Sequence, residues 1–436
     1  MPAEEQPYEV PENWVWVRLG EVNKYVSKSV NPISEPDKIF ELYSVPSMAD
    51  DYPEIIAGSD IGSSKQSVCK EDVLLCKINP RINRVWKVSQ FTDNELIASS
   101  EWIIIRNNHI NANYLMYCFQ SKYFREFMLS NVSGVGGSLM RAQPKYVQTY
   151  PIPLPPLSEQ QRIVESIEEL FAKLDEAKER LQEVADSFAV RKAAILHNAF
   201  TGELTKQWRR ENGVSDESWE EKKLGEVGFW LGGGTPSTSR EEYWENGNIL
   251  WITSKDMKSA VIEDTLMKVN EIGVKNSSAN YIEKPALLVV MRSGILRRTF
   301  PVAMVKKPFT VNQDLKAIIP DKDDLEFLYW MLLSNEQRIL DTCMKNGTTV
   351  ESINSNALKD LTFKCPTLPE QHEIVRLIDD LLARERSAQQ AAEQALASID
   401  LMKKSILARA FRGELGTNKA SEASALELLK QVLAEN

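Results

Sequence analysis

The sequence predicts an α/β (α+β) protein in which two duplicated mixed α/β domains are joined by two long helices that form an antiparallel coiled coil. Three observations lead to this prediction. A segment of 48 residues occurs twice, both copies carry a heptad pattern of apolar residues, and the sequence outside the copies is rich in short strand and turn signals. A chain of 436 residues is also too long for one compact domain.

The repeat is internal and needs no gap. Residues 157–204 and 368–415 align at an offset of 211 and share 18 identities in 48 positions, and both copies end in Gly-Glu-Leu. A shorter match places Trp14 and Trp219 near the start of the two domains, at an offset of 205. A period of this length exceeds that of solenoid repeats, so it indicates two duplicated domains.

Both copies of the repeat are predicted to be helices of about 40 residues, or roughly 60 Å. Their apolar side chains recur every three or four residues, which is the a/d spacing of a coiled coil. Two copies in one chain can pair without a second molecule, so we expect an antiparallel pair within the chain; a homodimer is the alternative. The seam consists of Ile163, Ile167, Leu170, Leu174, Leu181, Val184 and Phe188 in the first copy and of Ile374, Ile378, Leu381, Ile399, Met402 and Ile406 in the second.

These features divide the chain into five segments. They are an N-terminal domain at 1–156, a central helix at 157–204, a second domain at 205–367, a distal helix at 368–415 and a C-terminal tail at 416–436. Apolar runs bounded by turn residues predict short strands in both domains. The clearest of these strand candidates lie at 73–76, 102–105, 287–291 and 316–319.

Helices are also expected near the end of each domain and in the tail. The first domain should carry one helix at 114–129, and the second should carry one at 325–344. In the tail, four apolar residues fall on one helical face and predict a short helix that docks on another part of the assembly; a frayed terminus is the alternative. The residues of that face are Leu426, Leu429, Val432 and Leu433.

Composition excludes several classes of protein. Five scattered cysteines provide no disulfide framework and fit a reducing cytoplasm. Three histidines, with no CxxC or HExxH spacing, argue against a metal site. No apolar run is long enough to cross a membrane, and the acidic start does not resemble a signal peptide. No phosphate-binding GxxxxGK[ST] motif is present, and the triglycine at 232–234 is interpreted as a tight turn.

The duplicated motifs resemble a known family. A proline-rich run at 151–160 ends in Glu-Gln and leads into a long helix that closes with Ala-Phe-Thr-Gly-Glu-Leu at 199–204. The arrangement recurs from 366–371 to 410–415. It resembles the specificity (S) subunit of a type I restriction-modification system, and the resemblance covers nearly the whole chain. The motifs at 11–14, 77–80 and 233–237 are also similar to motifs that such subunits carry, but they are much less specific than the duplicated helix.

The resemblance implies a function for each segment. Each domain would be a target-recognition domain that reads one half of a bipartite, asymmetric site in double-stranded DNA. The paired helices would set the distance between the halves and dock two methyltransferase (M) subunits, which use S-adenosylmethionine to methylate adenine. Up to two motor-nuclease (R) subunits, which use ATP and Mg, would join them. The S subunit itself would be a non-catalytic cytoplasmic chain that holds no cofactor and no metal.

Two alternatives stay open at this point. The net charge of −10 favours a coiled-coil scaffold that never touches DNA, because phosphate binding needs a positive surface. A solitary DNA-modifying enzyme with an unrecognised site is the other. The charge is unevenly distributed along the chain, however, so local basic stretches remain.

Candidate DNA contacts lie in two basic stretches and two glycine-rich stretches. Arginine pairs with guanine and asparagine with adenine through two hydrogen bonds each. Glycine-rich segments with Ser or Thr let backbone N–H groups approach a phosphate. The alternative for all four stretches is a solvated or flexible loop. The candidates are Lys77, Asn79, Arg81, Asn83, Arg84, Lys87, Ser133, Ser138 and Arg141 in the first domain and Arg292, Ser293, Arg297, Arg298, Asn346, Thr348 and Thr349 in the second.

Overall fold

The chain forms two compact units in a computed structural model that describes residues 1–133, 140–345 and 350–434. Unit 1 consists of Met1–Gln182 and Glu393–Asn436, and unit 2 consists of Glu183–Ala392. The boundary between them crosses both long helical segments. Each unit therefore contains one α/β domain together with a part of each long segment.

The described residues of unit 1 carry short strands in four small sheets. Ile39–Tyr43 and Glu95–Ala98 run parallel, and the other strand pairs are antiparallel. In sheet order the strands are Ser29–Val30, Lys65–Ser67, Glu95–Ala98, Ile39–Tyr43 and Glu54–Ala57; Val85–Lys87, Val73–Cys76 and Trp102–Ile105; Val15–Arg18 with Pro151–Leu154; and Val132–Ser133 with Arg141–Ala142.

Unit 2 repeats this plan, with three sheets in the part of it that the structure describes. Its parallel pair is Ile249–Ile252 with Phe309–Val311. In sheet order the strands are Gly228–Gly232, Leu315–Pro320, Ala286–Val290 and Val302–Val305; Met267–Val269, Ile249–Ile252 and Phe309–Val311; and Glu220–Lys223 with Thr362–Cys365. In both units the strand that opens the domain pairs with the strand that leads into a long helix, which closes the domain at its base.

The helices comprise short elements within the domains and long elements outside them. In chain order they are Leu19–Val22, Ala112–Gln120, Lys122–Ser130, Pro144–Val147, Leu157–Asp186, Phe188–Phe200, Lys206–Glu211, Glu271–Lys275, Leu325–Ser334, Glu336–Cys343, Ser355–Lys359, Leu368–Ala410 and Ala425–Ala434. The mixed α/β class predicted from the sequence is confirmed.

The two long segments differ in continuity. The second is one helix of 43 residues, Leu368–Ala410. The first was expected to be one helix as well, but it is interrupted at Ser187. The Ser187 hydroxyl donates to the Val184 carbonyl at 3.1 Å, and the Arg191 guanidinium donates to the same carbonyl at 3.1 Å. Side chains that compete for helix carbonyls bend or break a helix, which accounts for this correction.

Within unit 1 the long helices run antiparallel. Ile163 and Ile167 share a buried core with Leu407 and Ala410. Further along, Lys403 forms an ion pair with Asp175 at 2.6 Å. Residue numbers therefore rise along one helix where they fall along the other, which is the antiparallel arrangement.

Within unit 2 the helices are antiparallel as well. Leu196 shares a core with Ile374 and Ile378, and Arg191 pairs with Glu385 at 2.5 Å. Glu385 is a charged residue between the seam residues Leu381 and Ile399, and Arg191 offsets its charge within this half-buried pair.

Burial along the predicted seam is uneven. Leu170, Val184 and Met402 are 36%, 39% and 48% exposed, so these three side chains remain accessible. The fully buried seam residues are Ile163, Ile167, Ile374, Ile378 and Ile399, and the half-buried ones are Leu174, Leu181, Phe188, Leu381 and Ile406.

The helix expected near the end of each domain is in fact a pair of helices. Ser121 ends Ala112–Gln120 and caps Lys122–Ser130, accepting a hydrogen bond from the Phe124 N–H. In unit 2, Asn335 separates Leu325–Ser334 from Glu336–Cys343. Both breaks occur at a polar residue whose side chain competes with helical hydrogen bonds.

The tail forms the predicted short helix, and half of the predicted face packs on unit 1: Val432 is buried in the core and Leu429 is half-buried against it. Leu428, which is outside that predicted face, is buried in the core as well, whereas Leu426 and Leu433 remain more than 40% exposed. The helix thus packs against the N-terminal domain of its own chain. Apolar residues lie on both faces, so the pattern alone could not select between them.

The triglycine is not a tight turn. Gly232 ends a strand, and the next residues continue without an assigned turn and without a left-handed φ. A Cβ on Gly233 would lie 1.9 Å from the Val311 carbonyl oxygen. Close approach of two backbones is therefore the reason for glycine here.

This packing predicts a stability effect. Gly233→Ala should destabilise unit 2 by about 1–3 kcal/mol, because the Val311 backbone must move to admit the methyl group. Gly294→Ala is the matched control, since a Cβ there meets nothing within 4 Å. Urea unfolding of both variants checks the difference; equal midpoints would contradict the packing argument.

Candidate nucleic-acid interface

The basic stretch of unit 1 forms a loop between two strands. Residues 77–84, the 77–84 loop, connect Val73–Cys76 with Val85–Lys87. The Asn79 N–H donates to the Met140 carbonyl at 2.8 Å, and the Ala142 N–H donates to the Lys77 carbonyl at 2.8 Å. The fold thus brings together two stretches of candidate DNA contacts that are about 60 residues apart in sequence.

Unit 2 has the same arrangement. Residues 291–298, the 291–298 loop, follow the strand Ala286–Val290. The Ser293 N–H donates to the Glu351 carbonyl at 3.0 Å, and the Ile353 N–H donates to the Met291 carbonyl at 2.8 Å. Asn79 and Ser293 therefore occupy corresponding positions in two loops of different sequence.

The candidate side chains in and beside the 77–84 loop differ in their exposure to solvent. Arg81 is exposed, while Lys77, Asn79, Asn83, Arg84 and Lys87 are half-buried. Asn79 has a left-handed φ of 45°, and its buried Oδ1 has no hydrogen-bond partner among the described residues.

Three candidate arginines pair with carboxylates. Arg141 lies 3.3 Å from Glu101, Arg292 lies 2.8 Å from Asp314, and Arg297 lies 2.5 Å from Glu351. The hydrogen bond from Arg297 lowers the pKa of the Glu351 carboxyl. Pairs this exposed contribute little to stability, so exchange of the carboxylate for a phosphate costs little.

Other candidates differ in their surroundings. Arg298 is exposed, and neither Arg298 nor Arg81 pairs with a carboxylate within the ranges that the structure describes. Lys87 lies 3.7 Å from Glu71, and Ser133 is exposed on a strand that pairs with Arg141–Ala142. Ser138, Asn346, Thr348 and Thr349 lie outside the described residues.

The structure also assigns a role to the repeated residues that the sequence left unexplained. In unit 1, Glu159 is completely buried at the start of a long helix. Its carboxylate accepts hydrogen bonds from the Trp14 indole at 2.8 Å, the Asn418 amide at 2.9 Å and the Thr417 hydroxyl at 3.3 Å. One carboxylate thus ties together the domain start, a helix start and the segment after the other helix.

Glu370 has the corresponding role in unit 2. It is also completely buried, and its Oε1 accepts from the Trp219 indole at 3.0 Å, the Thr205 hydroxyl at 2.7 Å and the Arg209 guanidinium at 2.7 Å. We call these two clusters the Glu159 node and the Glu370 node. Their repeated Trp and Glu could be seen in the sequence, but their contact could not.

The glutamine that follows each node glutamate connects the start of a long helix to the residue that precedes a short helix of the domain. Gln160 donates to the Pro155 carbonyl and accepts from the Asn111 N–H, both at 2.9 Å. Gln371 donates to the Pro366 carbonyl at 2.9 Å and accepts from the Asp324 N–H at 2.8 Å. The repeated Pro and Glu-Gln residues thus fix each α/β domain to a long helix.

No helix among the described residues is long and apolar enough to cross a membrane. No group of three or more His, Cys, Asp and Glu side chains among them is arranged to hold a metal ion.

Two related α/β units, each presenting a basic loop and each fixed to long helices by a buried carboxylate, define a duplicated recognition protein. Residues 11–186 and 216–395 each match the model of the type I restriction modification DNA specificity domain, so the chain belongs to this family and carries its domain twice.

Individual relatives agree with this assignment. The type I restriction enzyme EcoR124I/EcoR124II specificity subunit of Escherichia coli is 37% identical over 196 residues, 43% of this chain and 48% of that protein, so the match spans about half of the relative's length. The MjaVIII specificity subunit of Methanocaldococcus jannaschii is 25% identical over 415 residues, 88% of this chain and 91% of that protein. The HsdS subunit from Thermoanaerobacter tengcongensis has the same fold, with a TM-score of 0.71 and 22% identity over 94% of this chain and all of that one.

Proposed function

We propose that this chain is the DNA sequence-recognition subunit of a type I restriction-modification complex. Each unit would bind one half of a bipartite, asymmetric target in double-stranded DNA. The observation that carries the proposal is the pair of basic loops, 77–84 and 291–298, which occupy corresponding places in the two units but differ in sequence. Equivalent placement with different side chains is what two readers of different half-sites require.

The chemistry would belong to the partner subunits. Two M subunits with S-adenosylmethionine would methylate adenine, and up to two R subunits with ATP and Mg would move along and cleave DNA. The exposed seam residues Leu170, Val184 and Met402 are available to an M subunit, since the helix pair does not cover them. This chain would hold no cofactor or metal of its own and would act in the cytoplasm, in defence against foreign DNA.

The proposal must account for the acidic net charge of −10. Binding depends on local rather than total charge, and the exposed Arg81 and Arg298 are cations without a carboxylate partner among the described residues. The scaffold alternative predicts no DNA binding by the chain with its M subunits. A linear fall of log affinity with log salt concentration would exclude that alternative.

Alanine variants of the two loops test the division of labour. Arg81→Ala or Arg84→Ala should relax only the half-site read by unit 1, and Arg297→Ala only the half-site read by unit 2. Each loss should amount to about 1–3 kcal/mol of discrimination if the arginine makes a bidentate contact with guanine. The measurement is genome-wide adenine methylation in cells that carry the complete system.

Lys306→Ala is the matched control, because Lys306 lies outside both loops and pairs with Glu326 at 2.7 Å. It should leave both halves unchanged. A continuous palindromic target in the unaltered system would contradict the proposal, as would Arg81→Ala and Arg297→Ala variants that relax the same half.

A further inference from the structure

In unit 1, two side chains hold the 77–84 loop against the short helices Ala112–Gln120 and Lys122–Ser130. The Asn83 amide donates to the carbonyl of Gln120, the last residue of Ala112–Gln120, at 3.0 Å. The Arg125 guanidinium, on the next helix, donates to the carbonyl of Arg81. Both contacts lie at or beside the junction of the two helices.

Unit 2 attaches its loop to the corresponding junction, between Leu325–Ser334 and Glu336–Cys343, but it does so through a carboxylate. Glu336 is the first residue of Glu336–Cys343, directly after the Asn335 break. Its Oε1 accepts from the Phe300 N–H at 2.7 Å and also from the Thr299 hydroxyl. These two residues immediately follow the 291–298 loop, so Glu336 fixes the point where the loop returns to the core.

We propose that Asn83 and Arg125 in unit 1 and Glu336 in unit 2 are positioning residues for DNA recognition. They would set the orientation of the two loops without reading a base themselves. This inference rests on the proposed function and deepens it. It also adds a role for Asn83, since the N–H that it donates to Gln120 fixes the orientation of its amide within the loop.

The physical basis is the geometry of base recognition. A bidentate contact requires both hydrogen bonds to form together, so a small rotation of the loop weakens the correct pairing. Phosphate contacts tolerate the same rotation better, because a cation attracts an anion from many directions. Losing a positioning residue should therefore reduce discrimination among bases while changing the salt dependence of binding little.

The test compares two substitutions of Glu336 in the full chain with its own M subunits. Glu336→Ala should reduce discrimination in the half-site read by unit 2 by roughly tenfold, a typical value for one misplaced base contact. Glu336→Gln retains an acceptor oxygen and should restore discrimination to within about twofold. The readouts are the methylation map of the host genome and the slope of log affinity against log salt concentration.

Unit 1 provides an independent pair of variants, which keeps the test decisive if Glu336→Ala does not fold. Arg125→Ala should relax the other half-site, and Arg125→Lys, which retains a donor, should restore it in part. Gln337→Ala and Lys122→Ala are the controls, because these exposed residues neighbour the positioning residues without contacting the loops. Both controls should leave the methylation map unchanged.

Three outcomes would overturn the inference. They are relaxation of both half-sites by one variant, no rescue by Glu336→Gln, and an unchanged map with Glu336→Ala and Arg125→Ala. An unaltered complex that methylates no split target would instead overturn the proposed function itself, so the two failures can be told apart.

Discussion

Glu370→Ala is expected to lower the free energy of unfolding of unit 2 by about 3 kcal/mol, because the buried Arg209 guanidinium loses its buried partner and keeps only the largely exposed Asp216. The Arg209 side chain is only 7% exposed and donates to Glu370 at 2.7 Å. The alanine also removes the acceptor for the Thr205 hydroxyl and the Trp219 indole. Hydrogen exchange of unit 2 peptides, followed by mass spectrometry, measures the change.

Glu203→Ala is the matched control for this variant. Glu203 pairs with Lys206 at 3.3 Å on the surface of the same unit, where an ion pair contributes about 0–1 kcal/mol at most. If Glu370→Ala destabilised unit 2 no more than Glu203→Ala does, the Glu370 node would not be the joint that the structure indicates.

Removal of residues 417–436 should destabilise unit 1 by a similar or larger amount. Leu428 and Val432 are 9% and 0% exposed, and together their burial is worth roughly 3–6 kcal/mol. The truncation also removes Thr417 and Asn418 from the Glu159 node, and the two hydrogen bonds between Arg162 and Glu422 at 2.8 and 2.9 Å. Thermal unfolding and limited proteolysis of unit 1 measure the loss.

Point variants of the same helix separate burial from mere length. The double variant Leu428→Ala with Val432→Ala should reproduce most of the loss, whereas Leu426→Ala with Leu433→Ala should change stability by less than about 1 kcal/mol. The opposite ranking would mean that Leu426 and Leu433, rather than Leu428 and Val432, pack into the core of unit 1.

Most of the fold could be predicted from the periodicity of apolar residues and from apolar runs. The strand at Trp102–Ile105 and the antiparallel helices follow from side-chain pattern, because burial imposes that pattern directly. The breaks at Ser121, Ser187 and Asn335 do not follow from it. A polar residue that interrupts one turn leaves the helical spacing of its neighbours intact, so the pattern reads as continuous.

The candidate site was predictable only in part. Basic stretches mark the two loops, but no sequence signal joins Asn79 to Met140 or Ser293 to Glu351, since those bonds use backbone atoms that every residue possesses. The positioning role of Glu336 was likewise out of reach. Its partners are 36 and 37 residues away along the chain, and no sequence pattern links them.

The nodes differ in how far apart their partners lie along the chain, and this difference decides which unit is the first to have all of its residues synthesised. All residues of unit 2 precede Glu393, whereas unit 1 also needs residues 393–434. At a usual rate of protein synthesis, these additional residues, about 40 in number, take roughly 2–8 s to be added. Throughout that interval Ile163 and Ile167 lack Leu407 and Ala410, so the nascent chain carries an exposed apolar surface on unit 1 while unit 2 already has every residue it needs.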